Sequence, residues 1–172
     1  MAFWTEQSLN PKRKFRWVVE FQTDKELLKV AAKSVAKPNF EIGNTQHKFI
    51  NHIFNFPNRV EWKPIEVKLV DHIGKRSASG QESVTKALFN VLKRSGYKFP
   101  DSGDKCQLAV TKAQATKNGI KGVIIKQLSG EGPENAAASE ILETWTLKNP
   151  WVSTLNFGDL SYEDDGLLEL SM

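Results

Sequence analysis

Between residues 45 and 71 the chain carries two long runs of aromatic and β-branched residues, separated by Pro57-Asn58. No other stretch limits the possible folds as strongly. Such runs around a turn pair predict a β-hairpin. Pro57 sets φ for the first central turn position, and Asn58 tolerates the left-handed conformation that the second needs. In the first run, Ile50, Phe54 and Phe56 fall on one face with Lys48 and His52, while Phe49 and Ile53 fall on the other with His47, Asn51 and Asn55. A half-buried strand leaves one face polar, so large apolar groups on both faces predict a second surface that something else covers. In the second run Val60 and Trp62 are even-numbered but Ile65, Val67 and Leu69 are odd, which predicts a bulge or bend near Lys63-Pro64. Pro64 has no backbone donor, so this part of the strand belongs at an edge or outside regular pairing.

A chain of 172 residues with 40% hydrophobic content is long enough for one packed domain and short for two. No apolar run reaches the ~18 residues of a membrane span, and the first residues lack the basic start and apolar centre of a signal peptide. The expectation is a soluble protein made in a cytoplasm, with no membrane insertion of the subunit itself. Cys106 is the only cysteine, so no disulfide can form within the chain; it reads as a small residue at a strand start.

The net charge is +4, but its distribution says more than its sum. From Gly130 onward nine acidic residues face Lys148 alone, a net −8, and the first 129 residues hold the other 23 basic and 11 acidic groups, a net +12. Either copies bind head to tail through opposite patches, or the two segments mix on the folded surface and cancel.

Along the chain, residues 1–11 have no periodicity and read as an N-terminal arm. Alternation over 12–23 predicts a strand with Phe15, Trp17, Val19 and Phe21 on one face. Further strands are predicted at 27–35 and 39–42, with a turn at Gly43-Asn44. Residues 72–81 read as a loop. Over 82–95, Val84, Ala87, Leu88, Val91 and Leu92 recur at helical spacing, with Ser79 and Glu82 as a capping box and Gly96 at the C′ position. Strands are then predicted at 106–113 and 119–128 around an Asn118-Gly119 turn, followed by a brief helical turn at Ala136-Ala137-Ala138. A strand at 141–147 comes next, its alternation continuing through Trp151, Ser153, Leu155 and Phe157, and an interrupted strand at 160–170 is last.

Candidate chemistry is absent from the pattern. His47 and His52, read as five apart on one strand, point to opposite faces and cannot share a metal. The Gly/Ser loop before the helix lacks the Gly-Lys-Ser/Thr ending of a phosphate loop. There is no Cys/His cluster, nucleophile elbow or calcium loop. The expectation is a protein that is not an enzyme and has no cofactor and no metal.

Two blocks carry a family resemblance. The first is His47-Lys48-Phe49-Ile50-Asn51-His52-Ile53-Phe54-Asn55-Phe56-Pro57 with Val60-Glu61-Trp62, Pro64-Ile65-Glu66-Val67 and Leu69-Val70-Asp71. The second is Glu143-Thr144-Trp145-Thr146-Leu147-Lys148-Asn149-Pro150-Trp151 with Phe157-Gly158-Asp159-Leu160-Ser161-Tyr162. In this order they resemble the tail tube proteins of contractile-tailed, T4-like bacteriophages. Those proteins usually carry a longer final strand than the Leu168-Glu169-Leu170-Ser171-Met172 that ends this sequence.

The resemblance implies a mainly β (α+β) fold: an antiparallel β-barrel or sandwich with one flanking α-helix and a long hairpin, spanning 1–172 as a single tail-tube domain. It implies a structural virion protein assembled in the host cytoplasm, in hexameric rings that stack into the inner tube of the tail. Hairpins from all subunits would join in one barrel around the bore, and the 72–81 loop would reach the adjacent ring. Implied partners are the tail sheath protein, the baseplate hub or tube initiator, the tail terminator, the tape measure protein and double-stranded DNA in transit during ejection, without stable sequence-specific nucleic-acid binding. The subunit and ring contacts expected on this basis are Phe49, Ile53, Phe54, Phe56, Trp62, Asp71, Lys75, Arg76, Trp151, Asp164 and Asp165. Strong phosphate contacts would retard DNA, so a polar or acidic bore is expected.

Two other readings stand beside it. A tube initiator shares the fold but joins the hub once. A monomeric nucleic-acid-binding β-barrel would use Lys12, Arg13, Lys14 and Arg16 with nearby aromatics.

Overall fold

A computed structural model of the chain describes residues 11–23, 32–73, 83–98, 110–129, 141–163 and 165–172. The elements, in chain order, are β1 (Trp17–Phe21), β2 (Ala32–Val35), β3 (Phe40–Phe49), β4 (His52–Trp62), β5 (Val67–Val70), α1 (Val84–Arg94), α2 (Lys112–Gln114) running into a π-turn (Ala115–Gly119), β6 (Gly122–Leu128), β7 (Ile141–Lys148) and β8 (Glu169–Ser171). The fold is mainly β, with antiparallel pairing throughout, in sheets ordered β1-β6-β7, β2-β5-β8 and β3-β4. Among the described residues no sheet closes into a barrel. The chain divides into two compact units, Met1–Val30 with Phe89–Trp151 and Ala31–Leu88 with Val152–Met172, and the division falls inside α1.

In the first unit the alternation of β1 places Val19 and Phe21 in the core, opposite Ile125 and Val123, which are buried as well. Regular pairing covers only part of the predicted 12–23 strand, and Phe15 outside it is exposed. On β7, Glu143, Trp145 and Leu147 are half-buried while Thr144 and Thr146 are exposed, the predicted period of two.

The strand and Asn118-Gly119 turn predicted after residue 106 are corrected. Residues 106–109 lie outside the described residues, and 112–119 are helical. Thr111 Oγ1 accepts from the Gln114 N–H at 3.3 Å and starts the helical turn, and two alanines and a threonine carry it on. It ends at Gly119, where a side chain is not accommodated because a Cβ would lie 2.6 Å from Ser95 Oγ. The close approach to Ser95 uses the glycine, not a hairpin.

In the second unit β5 is the central strand. Val67 and Leu69 are buried and Lys68 is exposed; Leu69 pairs with Leu170, and neither keeps any accessible surface. Each leucine buried this fully contributes about 1.5–3 kcal/mol. Past β8, Met172 exchanges two hydrogen bonds with Val67, at 2.8 and 3.0 Å. Of the interrupted strand predicted over 160–170, only its end is regular. The 151–157 alternation keeps one bridge, Asn156 to Ser171.

The helix predicted over 82–95 runs Val84–Arg94, with Val84, Ala87, Leu88 and Val91 buried. Its C-terminus closes as predicted. Gly96 has φ 107, its N–H bonds Lys93 O at 3.1 Å, and the Tyr97 N–H bonds Leu92 O at 3.3 Å, which is a Schellman motif. The Ser79 and Glu82 capping box lies outside the described residues. The described cap is Ser83, whose Oγ accepts from the Lys86 N–H at 3.2 Å, joined by Asp71 just past the end of β5. The predicted 27–35 strand is described only as β2, and the Ala136 to Ala138 turn also lies outside the described residues.

Candidate assembly surface on the β3–β4 hairpin

The long hairpin exists, but its turn is not at Pro57-Asn58. It is a two-residue loop, Ile50-Asn51, between the paired residues Phe49 and His52. Ile50 has φ 54, a positive value at the first central position, as in a type II′ turn. Glycine normally serves there, and a β-branched residue is an outlier. Long-range pairing overrides the local signal: Phe40 opposite Trp62 and Ile42 opposite Val60 set the register from the other end.

The two predicted turns meet each other as a bulge. The register shifts between Ile42 and Asn44, so that Gly43 faces both Asn58 and Arg59 while Asn44 pairs with Pro57. A bulge interrupts the ladder, which is where a proline without an N–H is tolerated inside a strand. The break expected near Lys63-Pro64 is also present. β4 ends at Trp62, the Lys63 N–H bonds Asn39 O at 3.0 Å, and β5 starts a different sheet at Val67.

Every residue of β3 and β4 is exposed. Antiparallel partners share a face. One face therefore carries Phe40, Ile42, Val60 and Trp62 near the base, then Asn44, Gln46, Lys48, Ile53, Asn55 and Pro57 toward the tip. The other carries Glu41 and Glu61 near the base, then Thr45, His47, Phe49, His52, Phe54 and Phe56. Phe49, Phe54 and Phe56 are 59%, 49% and 55% exposed. Phe40 and Trp62 meet edge to face at 5.4 Å between centroids, and His52 lies 6.4 Å from Phe54. His47 and His52 thus share a face on partner strands, contrary to the expectation of opposite faces, because the turn falls between them. Among the described residues no group of three or more His, Cys, Asp or Glu side chains converges on a metal position.

At the base, Lys63 Nζ lies 2.7 Å from Glu41 and 4.0 Å from Glu61. The hydrogen bond with Lys63 holds the Glu41 carboxyl below its usual range, and the bond to Glu41, aided by the charge of Glu61, pushes Lys63 up. Both groups are exposed, so the pair fixes geometry more than it adds stability.

The expected contact residues fall in different places. Phe49, Phe54 and Phe56 come together on one hairpin face, with Ile53 and Trp62 on the reverse. Asp71 is turned inward as a helix cap. Trp151 and Asp165 are exposed, and Lys75, Arg76 and Asp164 lie outside the described residues. Phe40, Ile42 and Val60 lie exposed on the same face as Trp62 and are not among the expected contact residues, although their alternation is plain in the sequence. In the basic N-terminal cluster, Lys12 pairs with Glu143 at 2.5 Å and Arg16 donates to Ser129 O at 3.0 Å, so both are held by their own unit. No described helix is long and apolar enough to cross a membrane.

No protein-family model and no curated protein matches this chain. Solved structures do match. A chain of the PVC sheath/tube terminator of an extracellular contractile injection system superposes with a TM-score of 0.60 at 16% identity, covering 95% of this chain and 91% of that one. The anti-feeding prophage baseplate gives 0.59 at 15% identity over 95% and 89%, and the PVC sheath-tube complex 0.59 at 13% over 99% and 90%. The chain therefore shares its fold, over nearly its whole length, with chains of contractile injection particles.

Proposed function

We propose that this chain is a structural subunit of a contractile tail or injection particle, without enzymatic activity, which forms hexameric rings that stack into the inner tube. The observation that carries the proposal is the β3–β4 hairpin. Long strands with apolar groups exposed on both faces are costly in a monomer and are satisfied when copies close the sheet around an axis. A ring-to-ring contact that does not close on itself then builds a filament. The fold likeness to tube and terminator particles supports this reading. In a T4-like tail the same tube would be the scaffold for the sheath and the conduit for DNA ejection. The sheath, baseplate hub, tape measure and terminator would be its neighbours.

A second reading keeps the ring and removes the filament. Among the matching structures are a sheath/tube terminator and the anti-feeding prophage tube-terminating cap, so a ring at one end of the tube, an initiator or a terminator, fits the same fold. Electron microscopy of the purified protein over rising concentration tests both. Hollow tubes of growing length support the tube subunit, and single six-fold rings support the tube-end role. A monomer at every concentration that binds single-stranded DNA in a salt-sensitive way would overturn both in favour of a nucleic-acid-binding barrel.

A further inference from the structure

The bulge at Gly43 decides which way each apolar patch points. In an unbulged β4 the even-numbered Phe54, Phe56, Val60 and Trp62 would all lie on one side. The extra residue opposite Gly43 turns Val60 and Trp62 to the reverse side from Phe54 and Phe56. The ribbon therefore has an aromatic tip patch on one face and an apolar base patch on the other. Behind the tip patch lie three amides and one lysine; behind the base patch lie two glutamates. A single flat surface cannot cover both patches.

We infer that, within the tube reading proposed above and resting on it, the tip face with Phe49, Phe54 and Phe56 is buried against a second copy of this chain. The opposite tip face, Asn44, Gln46, Lys48 and Asn55, stays in water and lines the bore. The occupant is a second copy because β3 and β4 form a sheet of two strands, of 10 and 11 residues, with no third strand among the described residues. Such a ribbon is marginal alone in water, and both its long edges are open. Another copy offers each open edge a strand of matching length and alternation, so one contact rule satisfies both edges. An unrelated partner would have to bring two different matching edges.

The apolar area points the same way. Three half-exposed phenylalanines present on the order of 300 Å² of ring surface, from roughly 200 Å² per ring, the size of the main apolar patch on an ordinary monomer, and such patches often mark an interaction surface. The reverse tip face has the opposite character. Its amides bond water on either side of assembly, and Ile53 and Pro57 are its apolar groups. Lys48 is the one cation there, so each copy offers a passing phosphate backbone little to hold.

Cysteines at adjacent positions on opposite faces test this. Asn55→Cys and Gln46→Cys report the water face, and Phe54→Cys and His47→Cys the aromatic face. Each is made in a Cys106→Ser background, labelled with a small maleimide as assembled particles and as dispersed subunits, and read peptide by peptide by mass spectrometry. Thiol access governs the rate, so the water-face positions should keep their dispersed rate to within about twofold and the aromatic-face positions should slow by about tenfold or more. If an aromatic-face variant folds but fails to assemble while both water-face variants assemble, the inference is equally supported. Protection of Asn55→Cys and Gln46→Cys instead, or equal slowing on both faces, overturns the face assignment and leaves the tube reading standing. Absence of rings and tubes from the wild-type protein overturns both.

Discussion

Both carboxylate oxygens of Asp71 are taken up by the first turn of α1: Oδ1 accepts from the Val84 N–H at 3.0 Å, and Oδ2 from the Thr85 hydroxyl at 2.7 Å. A charged acceptor at a helix N-terminus satisfies free N–H groups and complements the helix dipole. Loss of such a cap costs about 1–2 kcal/mol. Asp71→Ala should therefore lower the melting temperature by several degrees, at about 2–4 °C per kcal/mol for a chain of this size, and Asp71→Asn by less. Circular dichroism at a concentration below assembly checks it. An unchanged melting temperature with assembly lost would assign Asp71 to an interface instead.

The contact between Gly119 and Ser95 predicts a double-mutant result. A Cβ on residue 119 would meet Ser95 Oγ at 2.6 Å but Ser95 Cβ at 3.9 Å and Val91 Cγ1 at 3.8 Å, both ordinary contacts. Ser95 is buried and its hydroxyl donates to Val91 O at 2.8 Å, so it has no room to move aside. Gly119→Ala should cost about 1–3 kcal/mol. Adding Ser95→Ala should recover much of that loss, a coupling measurable by denaturant unfolding of the four variants. Additive losses would disprove the steric cause.

At the hairpin tip the strain is local to Ile50. A left-handed conformation costs a non-glycine residue about 1–2 kcal/mol. Ile50→Gly should slow amide exchange across β3 and β4 by raising the hairpin's local opening free energy by about 1 kcal/mol, partly offset by the entropy of glycine. Faster exchange would mean that the Ile50 side chain holds the tip in place.

Glu169 in the second unit should titrate low, and its exposed pair with Lys33 should make only a small pH-dependent contribution to stability. The Lys33 ammonium donates to its carboxylate and, with its own charge and that of Lys68, holds Glu169 below the usual carboxylate range despite some desolvation. Because the folded value is depressed, the contribution is present above the ordinary carboxylate range and is lost as pH falls through the lowered one. Side-chain NMR should find Glu169 titrating below a free glutamate. Lys33→Ala should move its midpoint up, with little change in stability because the pair is exposed. An unmoved midpoint in Lys33→Ala would exclude the pairing.

Period and composition alone identified β1, β7 and α1 with its Schellman glycine, since alternation, helical spacing and capping chemistry act over a few residues. They also mark the first run of 45–71 as apolar on both faces. Gly43-Asn44, Pro57-Asn58 and Asn118-Gly119 carry equally good turn chemistry, yet none of them is a hairpin turn here. The first two face each other as a bulge, because the pairing of Phe40 with Trp62 outweighs two local preferences. The third is helical under a contact with Ser95.

The sequence by itself determined that this is a β-rich chain with one amphipathic helix and a surplus of apolar strand surface, because those properties follow from side-chain order. Only the tertiary structure decided where the ribbon turns, that His47 and His52 share a face, and that Asp71 serves a helix instead of a neighbour. Each of these depends on residues distant in the chain meeting in one register, and a register is a property of two strands together.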